Sequence, residues 1–494
     1  MKLRASALAM ALALAAQPVL AADLTIGLQD DPDIMDPDRS RTFVGKVVFQ
    51  SMCDTLVDVN ANLDYVPELA TSWELSEDGK DLTFHLREGV TFQDGTPFDA
   101  EAVKANFVRS MTLEDSLRKS ELISIDSVEV IDTATVVLHL KAPDSTLMSQ
   151  LTGQPGMMLS PTAFNGGDFS QNPVCVGPYK FRERVQNDRI VMDKDPDYYD
   201  ADRFHFDTVT YQPVPDATVR LANLQSGMFQ LIERVAPSDV AGLEGSDSAV
   251  LATVPSLGWR GLEINLKGDS PMAKDARVRE AFDLSIDRDI INMVAGQGLL
   301  TPNFQPWSPL HFAHDDKQDH PRDIEKAKAL LKEAGYEHPS FELIYGNSTL
   351  MQQVMELIQA MASEAGFDIS LRATEFSALQ AALSAGNFDV GQAGWAGRVD
   401  PDGNFSNFAL CDSSLNDTGY CSAETDALFA KAREASDQAA RKQYYDDFMA
   451  GMMEVRPYVF LYTEQWAYAH APKLEGFVPY ADGVIRLADV SLAE

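Results

Sequence analysis

A short segment of this chain brings together residue types that bind polar solutes. Trp395 is followed by Arg398, Asp400 and Asp402, with glycine between them. A guanidinium binds carboxylates through two parallel hydrogen bonds, and a tryptophan ring packs on one face while its other face contacts a ligand. We expect these side chains to form a ligand site, in which Arg398 contacts either the ligand or one of the two neighbouring aspartates.

The elements before this segment predict its position in the fold. Apolar residues at helical spacing are followed three times by a glycine and then by a strand pattern. The predicted strands cover 341–345, 367–371 and 387–393. Such alternation predicts an α/β fold with a mostly parallel sheet, in which ligands bind beyond the carboxyl ends of the strands. Asn347, Glu375 and the Trp395 segment follow these strands and are therefore candidate ligand contacts.

Length and charge limit the possible classes of protein. The chain has 494 residues, more than one hydrophobic core usually supports, so two or more lobes are expected. Its 40 basic and 75 acidic residues give a net charge of −35. This charge argues against nucleic acid or anionic lipid as partners.

The N-terminus has the pattern of a secretory signal. Lys2 and Arg4 precede an apolar run over 5–16, and Ala21 ends a small-residue cleavage site. We expect a signal peptide over 1–21 and a mature chain in the periplasm. No cysteine directly follows the predicted cleavage site, so no lipid anchor is expected, and no other apolar run has the length of a membrane span.

Four cysteines form an even set that an oxidising compartment can join into two disulfides. Cys411 and Cys421 enclose a short polar loop and are the obvious local pair, which leaves Cys53 and Cys175. Connectivity does not follow from sequence alone, and buried free thiols are the alternative.

The short motifs of common enzymes are absent. The sequence has no Gly-x-Ser-x-Gly, no His-Glu-x-x-His and no Gly-x-x-x-x-Gly-Lys. His311, His314 and His320 lie in a polar, proline-flanked segment and are expected to be solvated rather than to bind metal. An exported hydrolase is therefore disfavoured, and no catalytic residue, metal or cofactor is assigned. Weak chaperone-like binding of unfolded segments is a further alternative, which saturable binding would distinguish.

Several segments together resemble one family. They are 67–97, which begins PELATSWELSEDGK, 173–179 (PVCVGPY), 275–281 (DARVREA) and 327–336 (AKALLKEAGY). These segments are similar to signatures of the extracellular solute-binding proteins of family 5, the dipeptide-, oligopeptide- and nickel-binding components of ABC importers. They span nearly the whole mature chain and are specific for the family rather than for the ligand.

The resemblance implies a two-lobed periplasmic binding protein fold with a hinge and an extra subdomain in the first lobe. We place the first lobe at 22–265, with the subdomain at about 62–173, the second lobe at 266–470, and a return to the first lobe at 471–494. By resemblance, solute binds between the lobes, and closure creates the form that a membrane permease recognises. We expect a monomer without catalytic activity.

The resemblance also concerns the site. Peptide-binding members hold the ligand main chain like an added strand, and by resemblance Ala393, Gly394 and Trp395 offer that edge. Dipeptide binders typically carry an aspartate shortly after this tryptophan and an arginine early in the preceding long helix. The corresponding stretches in this sequence are 395–398 (WAGR) and 351–354 (MQQV), so both charged anchors are missing. Trp259 and Phe43 are further aromatic candidates for the cleft.

The expected function is therefore capture of short peptides or peptide-like solutes for an ABC importer. Either Asp400 or Asp402 binds the ligand amine from a shifted position, or Arg398 faces an anionic or hydroxyl-rich ligand. The second case favours a non-peptide solute such as an opine, an oligosaccharide or another polar metabolite. Nickel is a less favoured alternative.

Overall fold

The computed structural model describes residues 23–411, 413 and 415–493. The predicted signal peptide, 1–21, lies outside these described residues. Within them the chain forms a mixture of strands and helices. None of the described helices is long and apolar enough to cross a bilayer.

The strands are numbered in chain order. They are β1 (Asp23–Leu28), β2 (Val57–Val59), β3 (Tyr65–Pro67), β4 (Ala70–Leu75), β5 (Asp81–Leu86), β6 (Ile125–Asp132), β7 (Thr135–Leu140), β8 (Tyr179–Val185), β9 (Arg189–Lys194), β10 (Thr208–Pro213), β11 (Leu231–Ile232), β12 (Val250–Pro255), β13 (Trp259–Ile264), β14 (Leu300–Pro302), β15 (Ser340–Gly346), β16 (Asp368–Thr374), β17 (Val390–Trp395), β18 (Tyr458–His470), β19 (Leu474–Glu475) and β20 (Ser491–Leu492).

The helices are numbered in the same way. They are α1 (Phe43–Phe49), α2 (Ala100–Thr112), α3 (Leu147–Leu151), α4 (Pro161–Gly166), α5 (Ala217–Gln225), α6 (Pro237–Leu243), α7 (Pro271–Lys274), α8 (Ala276–Ser285), α9 (Arg288–Ile291), α10 (Ile324–Ala334), α11 (Thr349–Ala365), α12 (Phe376–Ser384), α13 (Asp402–Ala409), α14 (Ala423–Glu434) and α15 (Gln438–Val455).

One sheet runs through both lobes. Its strand order is β16-β15-β17-β13-β18-β11-β1-β10-β9-β8, and β12 and β14 also pair with β18. The long strand β18 pairs with β13 near its start, at Tyr458, and with β11 and β12 at its end, at His470. The chain passes between the two halves of the sheet within β18 and again between β12 and β13. This is the two-lobed α/β fold with two hinge crossings; the lobe boundaries at 265 and 470 stay predictions.

The two halves of the sheet have separate hydrophobic cores. Leu343 of β15 is buried with Phe282 of α8 in the second lobe. Tyr211 of β10 is buried with Phe49 of α1 in the first lobe. Because each half buries its own apolar face, the halves can move relative to each other without exposing either core.

A four-stranded sheet, β4-β5-β7-β6, lies within the predicted subdomain. All its pairings are antiparallel, and β6 and β7 form a hairpin. A third core, which contains Phe84, Phe107 and Leu138, joins this sheet to α2. The subdomain therefore has the internal packing of a compact unit.

The helix–strand repeats before Trp395 are confirmed, but the expectation of a mostly parallel sheet was wrong, because β18 pairs antiparallel with each of its neighbours and β17 with β13. α10, α11 and α12 each precede a strand, and β15 pairs in parallel with both β16 and β17. Gly335 and Gly366 end α10 and α11 with φ of 84° and 110°, a left-handed conformation that glycine adopts without steric cost. Trp395 is the last residue of β17, so the candidate segment begins beyond the carboxyl end of a strand.

Both predicted disulfides are present. Cys53 pairs with Cys175 at a Cα–Cα distance of 5.0 Å, and Cys411 pairs with Cys421 at 4.4 Å. The first bond closes a loop with a sequence separation of 122. In the chain-entropy model a loop of this length stabilises the fold by about 5 kcal/mol.

Candidate ligand-binding cleft

Trp395 is held in place by the helix that follows it. Its indole N–H donates to the carbonyl of Gly403 at 3.0 Å, and its ring packs edge-on against Phe408 at a centroid distance of 5.5 Å. The ring is half-buried and lines a cavity between the lobes. A tryptophan with one fixed face and one open edge suits ligand contact.

Arg398 lies over the Trp395 ring. Its guanidinium is 4.7 Å from the ring centroid, and Nη1 donates to the carbonyl of Gly397 at 2.9 Å. Its backbone N–H donates to Asn404 Oδ1 at 2.6 Å, which fixes the turn before α13. Burial lowers the pKa of Arg398, and the charge of Glu121 offsets this effect only in part.

The side chain of His311 contacts this turn. Its Nε2 lies 2.8 Å from the carbonyl oxygen of Arg398, and its Nδ1 accepts from the backbone N–H of Ser308 at 3.1 Å. Burial lowers the pKa of His311 to about 4, so the ring is neutral at pH 7 and Nε2–H is the donor. The prediction that His311 is solvated was wrong, because the segment around it folds back against the Trp395 turn.

The two aspartates of the segment are already paired. Asp400 receives two hydrogen bonds from Arg441, at 2.7 and 2.8 Å, and Asp402 receives two from Arg433, both at 2.8 Å. The Arg398 guanidinium makes no ion pair with any described residue. The sequence suggested that Arg398 contacts either the ligand or one of these two aspartates. In this structure neither aspartate is its partner.

The cavity next to Arg398, which we call the Arg398 cavity, lies between the lobes and has a volume of about 150 Å³. Its walls come from α1 and the loop before it, from the region of α3 in the subdomain, and from 395–399 after β17. Its charged lining residues are Arg41, Lys46, Arg118, Arg398, Glu121 and Asp482. Four cations against two carboxylates make this a positive site in a chain whose net charge is −35.

Three of these cations have no ionic partner among the described residues. Arg118 is the exception and pairs with Glu121 at 2.8 Å. The side chains of Arg41 and Lys46 make no hydrogen bond or ion pair with any residue that the structure describes. Arg398 makes no ion pair with these residues either. Burial lowers the pKa of Lys46, and the charge of Asp482 offsets this effect only in part.

Phe43 also lines the Arg398 cavity, at the start of α1. Its ring stacks on Trp466 at a centroid distance of 5.1 Å. Trp466 lines a second cavity of about 200 Å³, the hinge cavity, beyond the carboxyl ends of β1 and β11. Arg234 also lines the hinge cavity, with its guanidinium 5.0 Å from the Trp466 ring. The stacked pair therefore stands between two cavities that both carry an arginine.

A third cavity of about 310 Å³ continues the gap between the lobes. It shares Glu121 and Gln150 with the Arg398 cavity, and its wall in the second lobe includes Asp402 and Arg433. The space between the lobes is therefore longer than the Arg398 cavity alone. A short, extended solute fits it better than a compact ion.

The remaining predicted site residues lie elsewhere. Trp259 is 1% exposed among the rings of Phe405 and Phe408. Asn347 and Glu375 are exposed after β15 and β16, and neither they nor Trp259 line the cavities described above. The structure thus brings together Trp395, Arg398 and Phe43, together with residues that sequence reasoning missed: Arg41, Lys46, Arg118, Glu121 and Asp482.

The predicted strand edge runs through Ala393 and Gly394. They pair with Gly261 and Arg260 of β13 on one side. On the other side, the ladder from β15 ends at Gly391 among the described residues. The edge beyond Gly391 therefore has no strand partner there, and its role in holding a ligand main chain stays a prediction.

Comparison with known proteins gives the same family that the sequence motifs resemble. Residues 64–416 match the family described as bacterial extracellular solute-binding proteins, family 5 Middle. The glutathione-binding protein GsiB of Pectobacterium atrosepticum is 28% identical over 506 residues, which cover 98% of this chain and 96% of that protein.

Solved structures share the fold over nearly the whole chain. The periplasmic binding protein DppA of Helicobacter pylori, in complex with the peptide STSA, is 25% identical with a TM-score of 0.82, over 96% of this chain and 99% of that one. The binding protein AgaA from A. tumefaciens R10, in complex with agropinic acid, is 27% identical with a TM-score of 0.81, again over 96% and 99%. With its two lobes, its interlobe cleft and the family match over 64–416, the chain belongs to the bacterial extracellular solute-binding proteins of family 5.

Proposed function

We propose that this protein captures a short peptide or peptide-like solute that carries more than one carboxylate, and delivers it to the permease of an ABC importer from the periplasm. The binding step involves no covalent chemistry. The observation that carries the proposal is the excess of cations around one cavity between the lobes, where Arg41, Lys46 and Arg398 have no ion-pair partner in the described part of the chain.

Electrostatics favours an anionic ligand at this position. Partly buried cations without an ion-pair partner, such as Lys46 and Arg398, raise the free energy of the empty site, and a carboxylate that accepts their hydrogen bonds lowers it. Arg398 is fixed by Trp395 and by its turn, so it offers its donors in a preset orientation. A preorganised guanidinium loses little side-chain entropy when the ligand binds.

The same cavity also has acceptors for an amino group. Glu121 and Asp482 line it beside the cations. Asp482 accepts from Arg486 at 3.0 Å, and Glu121 pairs with Arg118 at 2.8 Å, so neither carboxylate is unpaired. A zwitterion with an excess of carboxylate therefore matches the wall better than a free dipeptide with one charge of each sign. Glutathione, the ligand in the name of the relative from Pectobacterium, has this composition of charges.

The lobes already touch on one side of the cleft. The backbone N–H of Ser145 in the subdomain donates to the carbonyl of Arg433 at 2.9 Å, and the N–H of Asp400 donates to Ser149 Oγ at 3.0 Å. The Arg441 pair holds Asp400 where this second bond forms. Closure of this kind encloses a ligand and presents a defined surface to a permease.

A non-peptide acid is the second candidate, and one observation favours it. AgaA, which is 27% identical to this chain, has a structure with agropinic acid. Neither Asp400 nor Asp402 is available for a ligand amine, because both are held by arginines. At that position, a ligand without an amino group therefore makes no fewer contacts than a ligand that has one.

Calorimetric titration of refolded, ligand-free protein tests the proposal. The ligands are glutathione, the same tripeptide with both carboxyl groups amidated, a neutral-side-chain tripeptide with free termini, and agropinic acid. We expect one of the acids to bind with one-to-one stoichiometry and the amidated peptide to bind at least tenfold more weakly, about 1.4 kcal/mol. Equal affinity for the acid and its amide would contradict the proposal. Binding of agropinic acid alone would select the second candidate.

A further inference from the structure

A larger cavity lies in the first lobe, away from the cleft. Its volume is about 540 Å³, within the range of small-molecule sites. It is enclosed by the end of α1, the β2–β3 hairpin, the loop after β9 and the C-terminal segment 476–489. None of its lining residues also lines the Arg398 cavity. We call it the Asp54 cavity.

Two carboxylates of this wall lack a cationic partner in the part of the chain that the structure describes. Asp54 is 2% exposed, and its Oδ2 accepts from the hydroxyl of Tyr198 at 2.8 Å. Glu68 Oε2 accepts from the backbone N–H and the hydroxyl of Thr55, at 3.1 and 2.8 Å. Neither carboxylate forms an ion pair with any described residue. Burial raises the pKa of both groups, and the nearby Asp54 raises that of Glu68 further.

The arginines of the same wall are engaged elsewhere. Arg203 pairs with Asp489 at 2.6 Å, and Arg486 pairs with Asp58 at 2.7 Å. Arg87 donates to the backbone carbonyl of Glu68 at 3.2 Å. None of the three arginines forms an ion pair with the side chain of Asp54 or Glu68.

An unpaired amide gives independent evidence for a missing donor. Gln50 lines the cavity at the end of α1, is 9% exposed, and its buried Oε1 has no hydrogen-bond partner in the described part of the chain. Buried polar side-chain atoms nearly always have a partner. The wall therefore offers an amide oxygen and two carboxylates to a group that donates several hydrogen bonds.

We propose that the Asp54 cavity binds a small organic cation with a primary ammonium group, which donates to Asp54, Glu68 and Gln50. An ammonium carries three donors on one atom. Arg87 already lies over the Tyr199 ring at 4.5 Å, so this wall accommodates a cation beside an aromatic ring. An inorganic cation fits less well, because no group of three or more acidic, His or Cys side chains among the described residues is arranged to hold a metal ion.

The test uses 1,5-diaminopentane as the probe, titrated calorimetrically into the full mature protein. Wild type is expected to bind it saturably at one site, and Glu68→Gln at least tenfold more weakly. Glu74→Gln, which removes the same charge from an exposed position of β4, is expected to bind as wild type does. Asp54→Asn is the second cavity variant, and thermal unfolding of each variant shows that it is folded.

Several outcomes would overturn the proposal. One is that the diamine does not bind wild type saturably, and another is that it binds wild type, Glu68→Gln and Asp54→Asn equally well. The proposal also fails if wild type binds the uncharged pentane-1,5-diol as well as it binds the diamine. It fails, too, if wild type binds calcium or magnesium chloride but not the diamine. Arg398→Ala separates this site from the cleft. This variant is expected to bind the diamine as wild type does. If the cleft turns out not to bind an anionic ligand, the result for the diamine still stands.

Discussion

At the scale of the residue, Arg398 differs from an ordinary surface arginine in what surrounds it. A typical exposed arginine of this chain, such as Arg372, pairs with a carboxylate, in this case Glu342 at 2.9 Å. Arg398 instead lies over Trp395, and among the described residues its guanidinium has only a carbonyl as hydrogen-bond acceptor. A buried guanidinium without a carboxylate is costly, and a bound carboxylate offsets that cost.

Lys46 gives the first prediction. Lys46→Met keeps most of the side-chain volume and removes the charge. Because Lys46 forms no ion pair in the described protein and burial lowers its pKa, its removal costs the empty form little stability, and it weakens binding of a carboxylate ligand at least tenfold. Calorimetry measures the affinity and thermal unfolding the stability. Lys332→Met, on the exposed side of α10, is the control; an equal effect of both changes would contradict the assignment.

Asp54 gives a prediction about pH. Burial raises its pKa from 3.8 to about 7, so the folded protein binds this proton more tightly than the unfolded chain does. The resulting stability is complete below the unfolded pKa and is lost as pH rises toward 7. Asp54→Asn lacks this titration.

The measurement compares unfolding temperatures of wild type and Asp54→Asn between pH 5 and pH 8. The difference, variant minus wild type, is expected to become more positive as pH rises. Groups that do not interact with Asp54 largely cancel in this difference, whereas Glu68 does not, because Asp54 raises its pKa. A difference that stays constant over the range would show that Asp54 does not titrate there.

At the scale of the element, α15 fixes the site turn through a buried ion pair. The side chains of Arg441 and Asp400 are only 7% and 5% exposed, and the pair also includes a hydrogen bond from Arg441 to Tyr445 at 3.0 Å. The pair joins α15 to the segment that carries Arg398. It therefore acts on the shape of the cleft without lining the Arg398 cavity.

Arg441→Met is predicted to destabilise the protein by about 3–5 kcal/mol, because it leaves a buried carboxylate without a partner. Urea unfolding measures the loss. Arg372→Met breaks an ion pair whose side chains are 43% and 40% exposed, and it is expected to cost at most about 1 kcal/mol. Similar costs for the two variants would mean that the Arg441 pair is not buried in solution.

Sequence patterns predict the elements near the site well and the site itself only in part. The helices ending at Gly335 and Gly366 follow from local apolar spacing and from glycine, which act over a few residues. Trp395 and Arg398 are found because they follow a predicted strand. Arg41, Lys46 and Asp482 could not be found this way, because the fold brings them together from segments hundreds of residues apart.

Aromatic type was a weak guide to the cleft. Trp259 and Trp395 are opposite each other in the β13–β17 ladder, yet Trp259 is buried at 1% while Trp395 reaches the cavity. The difference arises because Trp259 points into a cluster with Phe405 and Phe408. A sequence pattern does not distinguish these two positions.

At the scale of the whole molecule, the distribution of charge is uneven. The chain carries −35 overall, but the Arg398 cavity has an excess of cations, and two carboxyl groups of the Asp54 cavity have no ion-pair partner among the described residues. The general negative field does not attract anions, so recognition of an acid depends on the short-range contacts inside the cleft. Enclosure between the lobes strengthens those contacts by excluding water.

The two hinge crossings connect ligand binding to the shape of the molecule. β18 belongs to both halves of the sheet, and Ser145 and Ser149 form hydrogen bonds with the second lobe. A ligand that bridges Lys46 on one lobe and Arg398 on the other binds the closed form more tightly than the open form. The difference between these two affinities sets how far the ligand shifts the protein toward the closed form.

A thermodynamic cycle on Arg398 tests the central claim most directly. The acid that binds and its amide are each titrated into wild type and into Arg398→Ala, with Arg372→Ala as the matched control in the same lobe. If Arg398 holds the carboxylate, amidation weakens binding at least tenfold in wild type and in Arg372→Ala, and has a much smaller effect in Arg398→Ala. An amidation penalty of the same size in all three proteins would show that the carboxylate is bound elsewhere and that this cleft does not work as proposed.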